Sequence, residues 1–427
     1  MHEHNEKAYV LNHHRWVVLG LLASSYFLVY FHRVSTSVIA TDLVADFHTN
    51  AAALGFMSSM YFYLYAFEQP IVGHFTDLLG ARRVLAFWSF IAALGCSIFA
   101  MSPSIGWASV GRGLIGFGVG GVYVPAMKAF SQWFRREDFA TMIGLLLAAG
   151  NLGAIAATTP LAWMASTWGW RMSFMIVGAV SVGLALMAIF FVHDPSPDTC
   201  SNYQKPALKN EGSTETYRVL VFRILFSLRF WILAAIFFGS FGPGITFQGL
   251  WATSFIMSAL KTSRMHASWL NMILPVGYII GAPIWGLLAD RGFCNKVNFL
   301  LLLLGLLNIT WIILSLAGHM MSAWGFAALF LLMGSTTGGL ATTLWATVRH
   351  ITPNTIIGLT TGLLNPFPLL GIAFMQGWTS AILNQTGHVQ DIYSLKAFRE
   401  VFLVCLLVVA ISLVLCAFFR KQLGQAR

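Results

Sequence analysis

Twelve stretches of mostly apolar residues, each long enough to cross ~30 Å of hydrocarbon as a helix, leave this chain few ways to fold. Lipid offers the backbone no hydrogen-bond partner, so a crossing segment must be a helix or part of a closed barrel. These runs are too long and too continuously apolar for barrel strands. The predicted helices are 16–40, 51–75, 84–100, 105–130, 139–165, 171–192, 230–259, 265–289, 297–318, 322–349, 356–383 and 398–419. Only 9% of the 427 residues are charged, against about 25% in soluble domains, and the mean hydropathy is +0.74. The expected class is an all-α polytopic membrane protein with twelve transmembrane helices.

One polar interval is long. Residues 193–229 hold Pro195, Pro197, Pro206, several Ser, Thr and Asn, and five basic residues, the composition of a linker. It divides the chain into an N-terminal six-helix bundle (1–192), a cytoplasmic linker (193–229) and a C-terminal six-helix bundle (230–427). Two short repeats point to duplication. The spacing glycine, three residues, aspartate occurs at Gly73–Asp77 and again at Gly286–Asp290. In helix 5, Gly144-Leu-Leu is followed by Gly153; in helix 11, Gly362-Leu-Leu is followed by Gly371. The offsets, 213 and 218, agree within a helical turn or so, which favours parallel repeats related by pseudo-two-fold symmetry. Within helix 7, Phe241 to Gly244 (Phe-Gly-Pro-Gly) predicts a bend.

A formal net charge of +10 would suggest nucleic acid in a soluble domain, but here its placement has another meaning. Of the 25 Lys and Arg, five (Arg171, Lys261, Arg264, Lys396, Arg399) fall on one side, and Arg33, Arg112 and Lys128 lie inside helices. The other seventeen lie on the side that includes the N-terminus. The positive-inside rule then puts both termini in the cytoplasm of a multi-pass inner (plasma) membrane protein, with no nucleic-acid partner. The first run is too long for a signal-peptide core, so no cleavable leader is expected. The five cysteines show no CxxC spacing, and Cys96, Cys405 and Cys416 fall inside helices, which predicts neither disulfides nor metal sites. The N-terminal His2, His4, His13 and His14 are expected on a short mobile tail. No cofactor is implied, and the chain is expected to be monomeric.

The stretch GHFTDLLGARR, Gly73 to Arg83, sits between two apolar runs and predicts a short turn at a membrane surface. It resembles the G-x-x-x-D-x-x-G-x-R-R/K loop between helices 2 and 3 of the major facilitator superfamily. Arg112 with Gly116 is similar to that family's R-x-x-x-G pattern in helix 4. PAMKAFSQWFRRE, Pro125 to Glu137, resembles the segment after helix 4 in sugar-phosphate permeases and anion–cation symporters, and Tyr30-Phe-His-Arg33 resembles their helix 1 arginine region. The resemblance covers essentially the whole chain and implies a secondary transporter working by alternating access. Three departures stand out. Helix 7 lacks the arginine of organophosphate antiporters. Val119 stands where anion–cation symporters often have glutamate, and GNLGAIAATTP (Gly150 to Pro160) does not reproduce the drug-exporter G-x-x-x-G-P pattern.

Ionisable groups at membrane depth cost roughly 2.5–3.5 kcal/mol each on insertion scales, so those retained are candidates for function. They are Arg33, Glu68 and Arg112, with His32 beside Arg33. Arg33 shares a helix face with Tyr26 and Tyr30, a set that suits a carboxylate or phosphate. The alternative is an acidic protein partner, for which Glu68 is the deep choice, or the capping of carbonyls. Glu68 shares its face with Tyr61 and Tyr65 and is a candidate proton-coupling site. The alternative there is a fixed ion pair with Arg33 or Arg112, or hydrogen bonding that locks helix 2. Arg112 shares its face with Gly116 and Tyr123 and is either framework or part of the anion site. Gln69 is a further cavity-facing candidate, and Lys128 is expected to snorkel.

The second half offers only polar amides and aromatics, of which Gln248, Trp345 and Gln376 are chosen to hold the neutral part of a substrate. Trp251, Asn271, Thr342 and Asn365 are expected to serve mainly as helix–helix glue. Gly73, Asp77, Arg82 and Arg83, with Asp290 and Arg291 in the eroded second copy, are assigned to gating. The latch they form is expected to hold the halves together in the outward-facing state. The leading expectation is proton-coupled uptake of a small organic anion: a carboxylate, sugar acid or phosphorylated metabolite. Efflux of amphipathic compounds by proton antiport and a non-transporting sensor are the alternatives. With no nucleophile–base set in the sequence, an enzyme is not expected.

Overall fold

The computed structural model describes residues 2–134, 138–192, 217–290, 296–352, 357–385, 388–389 and 392–424. α1 is His2–Phe47, of which Arg15–Phe47 is the apolar span. No Gly or Pro interrupts residues 2–14, and the tail expected to be mobile continues the helix instead. α2 (51–79) and α3 (81–100) form one run of helix, Ala51–Ala100, redirected at the single residue Gly80. Where the sequence predicts a short turn, helical geometry reaches Leu79 and resumes at Ala81. Gly80 has φ 84° and ψ 165°, a conformation open to glycine and strained for any residue with a Cβ.

α4 is Ile105–Gly120 continued by Tyr123–Trp133. α5 comprises Phe139–Ala156 and 159–168, and α6 is 170–191; Gly169, at φ 81°, redirects the chain between them as Gly80 does earlier. Residues 193–216 of the expected linker lie outside the described residues. Its remainder is partly helical (Tyr217–Leu225), and α7 begins at Leu228.

α7 runs Leu228–Thr246, then a π-helical turn Phe247–Trp251, then Ala252–Leu260. The disturbance expected at Phe241–Gly244 therefore emerges just downstream of Pro243, as a widened turn. α8 is Arg264–Asn271 with Ile273–Asp290, α9 Lys296–Ala317 and α10 Ala323–Ile351. α11 is Ile357–Leu364 with Pro366–Gln385, and α12 is Leu395–Phe418. A two-stranded hairpin, His388–Val389 with Ile392–Tyr393, joins α11 to α12. Among the described residues ten continuous helices are long and apolar enough to cross a membrane. Gly80 divides one of them into two spans, and Gly169 divides another between α5 and α6, which makes twelve crossings.

The two halves repeat the same packing. α1 lies against α5 as α7 lies against α11, and α2 against α4 as α8 against α10. The contacts match residue by residue. A Cβ at Gly153 would run into the Phe27 backbone of α1, and a Cβ at Gly371 into the Phe238 backbone of α7. Gly116 stands against the Tyr61 backbone, and Gly338 against that of Tyr278. Small residues let backbones approach where lipid gives no hydrophobic push between helices. The sequence repeat at Gly153 and Gly371 is thus a repeat of helix contact.

Between the halves, α2 packs on α11 and α1 on the π-turn of α7, where Gly249 abuts the Arg33 carbonyl. Polar cross-contacts gather at the face away from the termini. Ser37 Oγ lies 3.1 Å from Thr253 Oγ1, Asn271 donates to Thr253 Oγ1 at 3.3 Å, and Asp42 pairs with Arg264. Nearer the terminal face, Asn365 Nδ2 donates to Gln69 Oε1 at 3.2 Å.

The backbone at Gly80 gives a direct check. Gly80→Ala is expected to destabilise by ~1–3 kcal/mol, through the strain of that conformation. Gly144→Ala, helical with nothing within 4 Å of the added Cβ, should be neutral or gain up to ~1 kcal/mol. Thermal unfolding of both variants in detergent measures the difference.

Candidate functional site

α1 turns Tyr26, Tyr30 and Arg33 to one side, as spacings of four and three residues require. The Arg33 guanidinium carbon lies 4.4 Å from the centre of the Tyr30 ring and 5.5 Å from that of Tyr65 on α2. Tyr61 and Tyr26 also lie within its electrostatic reach. Tyr123 of α4 packs against Tyr26 at 5.8 Å between ring centres. Tyr278 of α8, from the other half, lies near Arg33, Tyr30 and Tyr123. Six of the chain's eleven tyrosines are therefore gathered around one arginine.

Each cation–π contact contributes ~0.5–2 kcal/mol and leaves the charge in place. Arg33 Nε is buried without a hydrogen-bond partner, and among the described residues no carboxylate lies within ion-pair distance of this side chain. The alternative of an acidic protein partner is not realised. Tyr61 is less free than its neighbours, because its hydroxyl donates to the Val29 carbonyl at 2.9 Å.

Glu68 is fully enclosed between α2, α3 and α4. Gln69 Nε2 donates to its Oε1 at 2.8 Å, and Trp88 Nε1 of α3 donates to its Oε2 at 3.0 Å. A side chain at position 120 would collide with Oε1, so Gly120 of α4 makes room for the carboxylate. The ion pair weighed as one alternative, with Arg33 or Arg112, does not form among the described residues, whereas the other, hydrogen bonding that holds helix 2, is present through Gln69 and through Trp88 of α3. Both partners are neutral, and no cation locks the carboxylate in its ionised form.

Arg112 is also fully enclosed. Its Nη2 donates to the His32 carbonyl at 3.1 Å, and its guanidinium lies 5.0 Å from the Tyr61 ring centre. Tyr61 thus stands between the two arginines, and Arg112 ties α4 to α1 behind it.

In the second half, Gln376 on α11 is 0% exposed, and neither its Oε1 nor its Nε2 has a partner. Trp345 is half-buried with its ring 4.6 Å from Phe237, and Gln248 is a half-buried member of the π-turn. Trp251 donates to Thr379 at 2.9 Å, Thr342 bonds its own helix at the Gly339 carbonyl, and Asn271 joins α7, α8 and α1. Trp251 and Asn271 thus link helices as expected, while the Thr342 hydroxyl is used within its own helix.

At the terminal face, Asp77 is mostly exposed and pairs with Lys128 of α4 at 3.6 Å, while Lys128 caps the Thr76 carbonyl at 2.5 Å. Lys128 thus reaches the terminal face, in line with the expected snorkelling, and the Asp77 contact stays inside the first half. Gly73 and Arg82 are half-buried and Arg83 is exposed. The Asp290 side chain and Arg291 lie outside the described residues. Sequence reasoning used Arg171 and Arg264 only for orientation, yet Arg171 pairs with Asp46 and Arg264 with Asp42. Tyr278 was also missed. The repeat offset of 213 to 218 added to Tyr61 or Tyr65 lands on or near it, and that signal was available.

Comparison with known proteins follows the same lines. The profile of the Major Facilitator Superfamily matches residues 22–251 and 244–426. A galacturonate transporter of Dickeya chrysanthemi is 26% identical over 62% of this chain and 80% of its own length. A probable sulfoacetate transporter of Cupriavidus necator is 26% identical over 66% of this chain and 67% of its own. The hexuronate transporter of Escherichia coli is 24% identical over 62% and 64%. A solved bacterial homologue of the human lysosomal transporter Spinster, inward-facing and unoccupied, superimposes with TM-score 0.79 at 17% identity, covering 96% of this chain and 98% of that one.

The unpartnered amide yields a test with an unusual sign. Gln376→Leu removes two buried unsatisfied polar atoms at ~1–3 kcal/mol each and should stabilise the ligand-free protein. The same change should weaken binding of any ligand that satisfies that amide. Thermal unfolding with and without galacturonate, hexuronate or sulfoacetate separates the two effects.

Proposed function

This chain belongs to the Major Facilitator Superfamily and is a membrane transporter of that family; we propose that it carries a small organic anion inward together with protons. The observation that carries this reading is Arg33: a half-buried cation at mid-span, its Nε enclosed, ringed by phenols, with no acidic partner among the described residues. A charge kept at that depth without a protein counter-ion is accounted for when the substrate supplies it. Guanidinium is suited to carboxylate, sulfonate or phosphate because its planar fork makes paired hydrogen bonds. The similarity to transporters named for galacturonate, hexuronate and sulfoacetate agrees with a substrate bearing one such group.

Arg33 binds the anionic group, with Tyr26, Tyr30, Tyr65 and Tyr123 from the first half and Tyr278 from the second completing the wall. Gln376, Gln248 and Trp345 meet the neutral part. Tyr61 and Arg112 hold the first half in shape behind them. Glu68 carries the proton, its neutral hydrogen-bond partners leaving both protonation states accessible. One proton with a monoanion is electroneutral; a second lets the membrane potential contribute ~2.3 kcal/mol per 100 mV.

The excess of Lys and Arg on the terminal side supports cytoplasmic termini in an inner membrane. The Asp42–Arg264 pair and the Ser37–Thr253–Asn271 cluster then close the outer face, and Asp77 rests on Lys128 until the halves rock and the cytoplasmic latch forms.

Radiolabelled galacturonate, hexuronate and sulfoacetate uptake into proteoliposomes, with and without an imposed pH gradient, tests the proposal. Arg33→Ala should raise KM about 100-fold, the loss expected on truncating one member of a buried charge pair, with Arg33→Lys in between. Glu68→Gln should keep substrate exchange but lose its response to the pH gradient. Uptake of all three that ignores pH and survives Arg33→Ala would overturn the reading.

The outer closure is tested by charge exchange. Asp42→Arg or Arg264→Asp alone places like charges together and should slow uptake about tenfold, while the double swap should recover most of the rate.

A further inference from the structure

The hydrogen bonds around Glu68 do not stop at Glu68. Its neighbour Gln69 uses both ends of its side-chain amide. Nε2 donates to Glu68 Oε1 at 2.8 Å and reaches the Gly120 carbonyl at 3.5 Å, while Oε1 accepts from Asn365 Nδ2 at 3.2 Å. Asn365 is on α11, in the other half of the molecule. The chain Trp88, Glu68, Gln69, Asn365 therefore runs from the interior of the first bundle across the boundary between the bundles.

The direction of each bond is dictated by chemistry. Trp88 Nε1 can only donate and the Gly120 carbonyl can only accept. An ionised Glu68 accepts at both oxygens, so the Gln69 amide must turn its nitrogen inward and its oxygen towards Asn365. A carboxyl oxygen that carries the proton keeps a lone pair but is the poorer acceptor, and both oxygens already face a donor. Trp88 Nε1 can only donate, whereas the Gln69 amide can reverse, so the proton is placed on Oε1, where it meets the Gln69 nitrogen, donor against donor. The conflict is relieved when the Gln69 amide turns over. Its oxygen then takes the new O–H but faces the Gly120 carbonyl, and its nitrogen faces the Asn365 nitrogen. While Asn365 keeps the orientation it has here, the bond between the halves is lost in that form. Among the described residues, Tyr65 is the titratable neighbour on α2 itself. α3 and α4 present Trp88 and Gly120, α11 presents Asn365, and Arg33 of α1 lies beyond Tyr65.

We propose that Gln69 and Asn365 are positioning residues that transmit the protonation of Glu68 to the α2–α11 contact: held when the carboxylate is ionised, released when it is protonated. The proposal rests on Glu68 as the proton site. It adds the means by which a proton in one half changes the grip between halves, through an amide reversal that moves no backbone.

Two measurements on the purified full chain in nanodiscs, needing no substrate, separate this proposal from the reading beneath it. Infrared difference spectra across a pH titration report the protonated carboxyl band, and Glu68→Gln should remove it. Hydrogen-exchange protection of α11 around residues 359–370 should fall about fivefold as that band appears, the change that loss of a hydrogen bond of ~1 kcal/mol gives. Asn365→Leu should leave the Glu68 band in place and abolish the pH response of α11; Asn365→Ala provides the same comparison with a smaller side chain. If no band is lost in Glu68→Gln, Glu68 is not the proton site and both ideas fall. If the band is there but α11 ignores pH, or still responds in both Asn365 variants, the transmission is wrong while the proton site stands.

Discussion

A polar group inside a bilayer has no water to complete its hydrogen bonds, and much of this structure follows from that shortage. Most buried hydroxyls satisfy themselves within their own helix, as Ser25 does on the Leu21 carbonyl, Ser181 on Val177 and Ser240 on Ile236. Larger groups are tied between helices: Trp251 to Thr379, Glu68 to Trp88, Arg112 to the His32 carbonyl. The groups left wanting a partner are therefore informative. Arg33 Nε, Arg112 Nε and Nη1, and both ends of the Gln376 amide have none.

The same absence of water removes the hydrophobic push between helices, so each half is assembled by close contact instead. Glycines at equivalent positions bring α5 onto α1 and α11 onto α7, α4 onto α2 and α10 onto α8. These backbone-to-backbone contacts make each half a stiff unit. The boundary between the halves is also closely packed, α2 on α11 at Gly55 and α1 on the π-turn at Gly249, and carries in addition a few polar contacts at two levels. Asp42–Arg264 and the Ser37 cluster stand at one face, Gln69–Asn365 nearer the other.

Much of the fold was legible because apolar length and spacing are imposed directly by the bilayer. The twelve crossings and the Gly153/Gly371 repeat both rest on it. Details set by single backbone angles were not legible: that Gly80 alone turns the chain, that Gly169 does so again, and that α7 widens after Pro243. At the site, the grouping of Tyr26, Tyr30 and Arg33 could be read from helical spacing. Which of Arg33, Arg112 and Glu68 pair with one another could not, because all three choices satisfy the same charge count.

The sequence by itself determined that this chain is a membrane-embedded duplicated bundle with a surplus of positive charge buried in its first half. Hydrophobic length, glycine spacing and charge content are local properties, and they survive without coordinates. Only the tertiary structure decided that Arg33 is left without an acid, that Glu68 answers to Trp88 and Gln69, and that Tyr278 comes from the far half to join the ring. Those are distances between helices, and a one-residue rotation of any helix, about 100°, would change each of them.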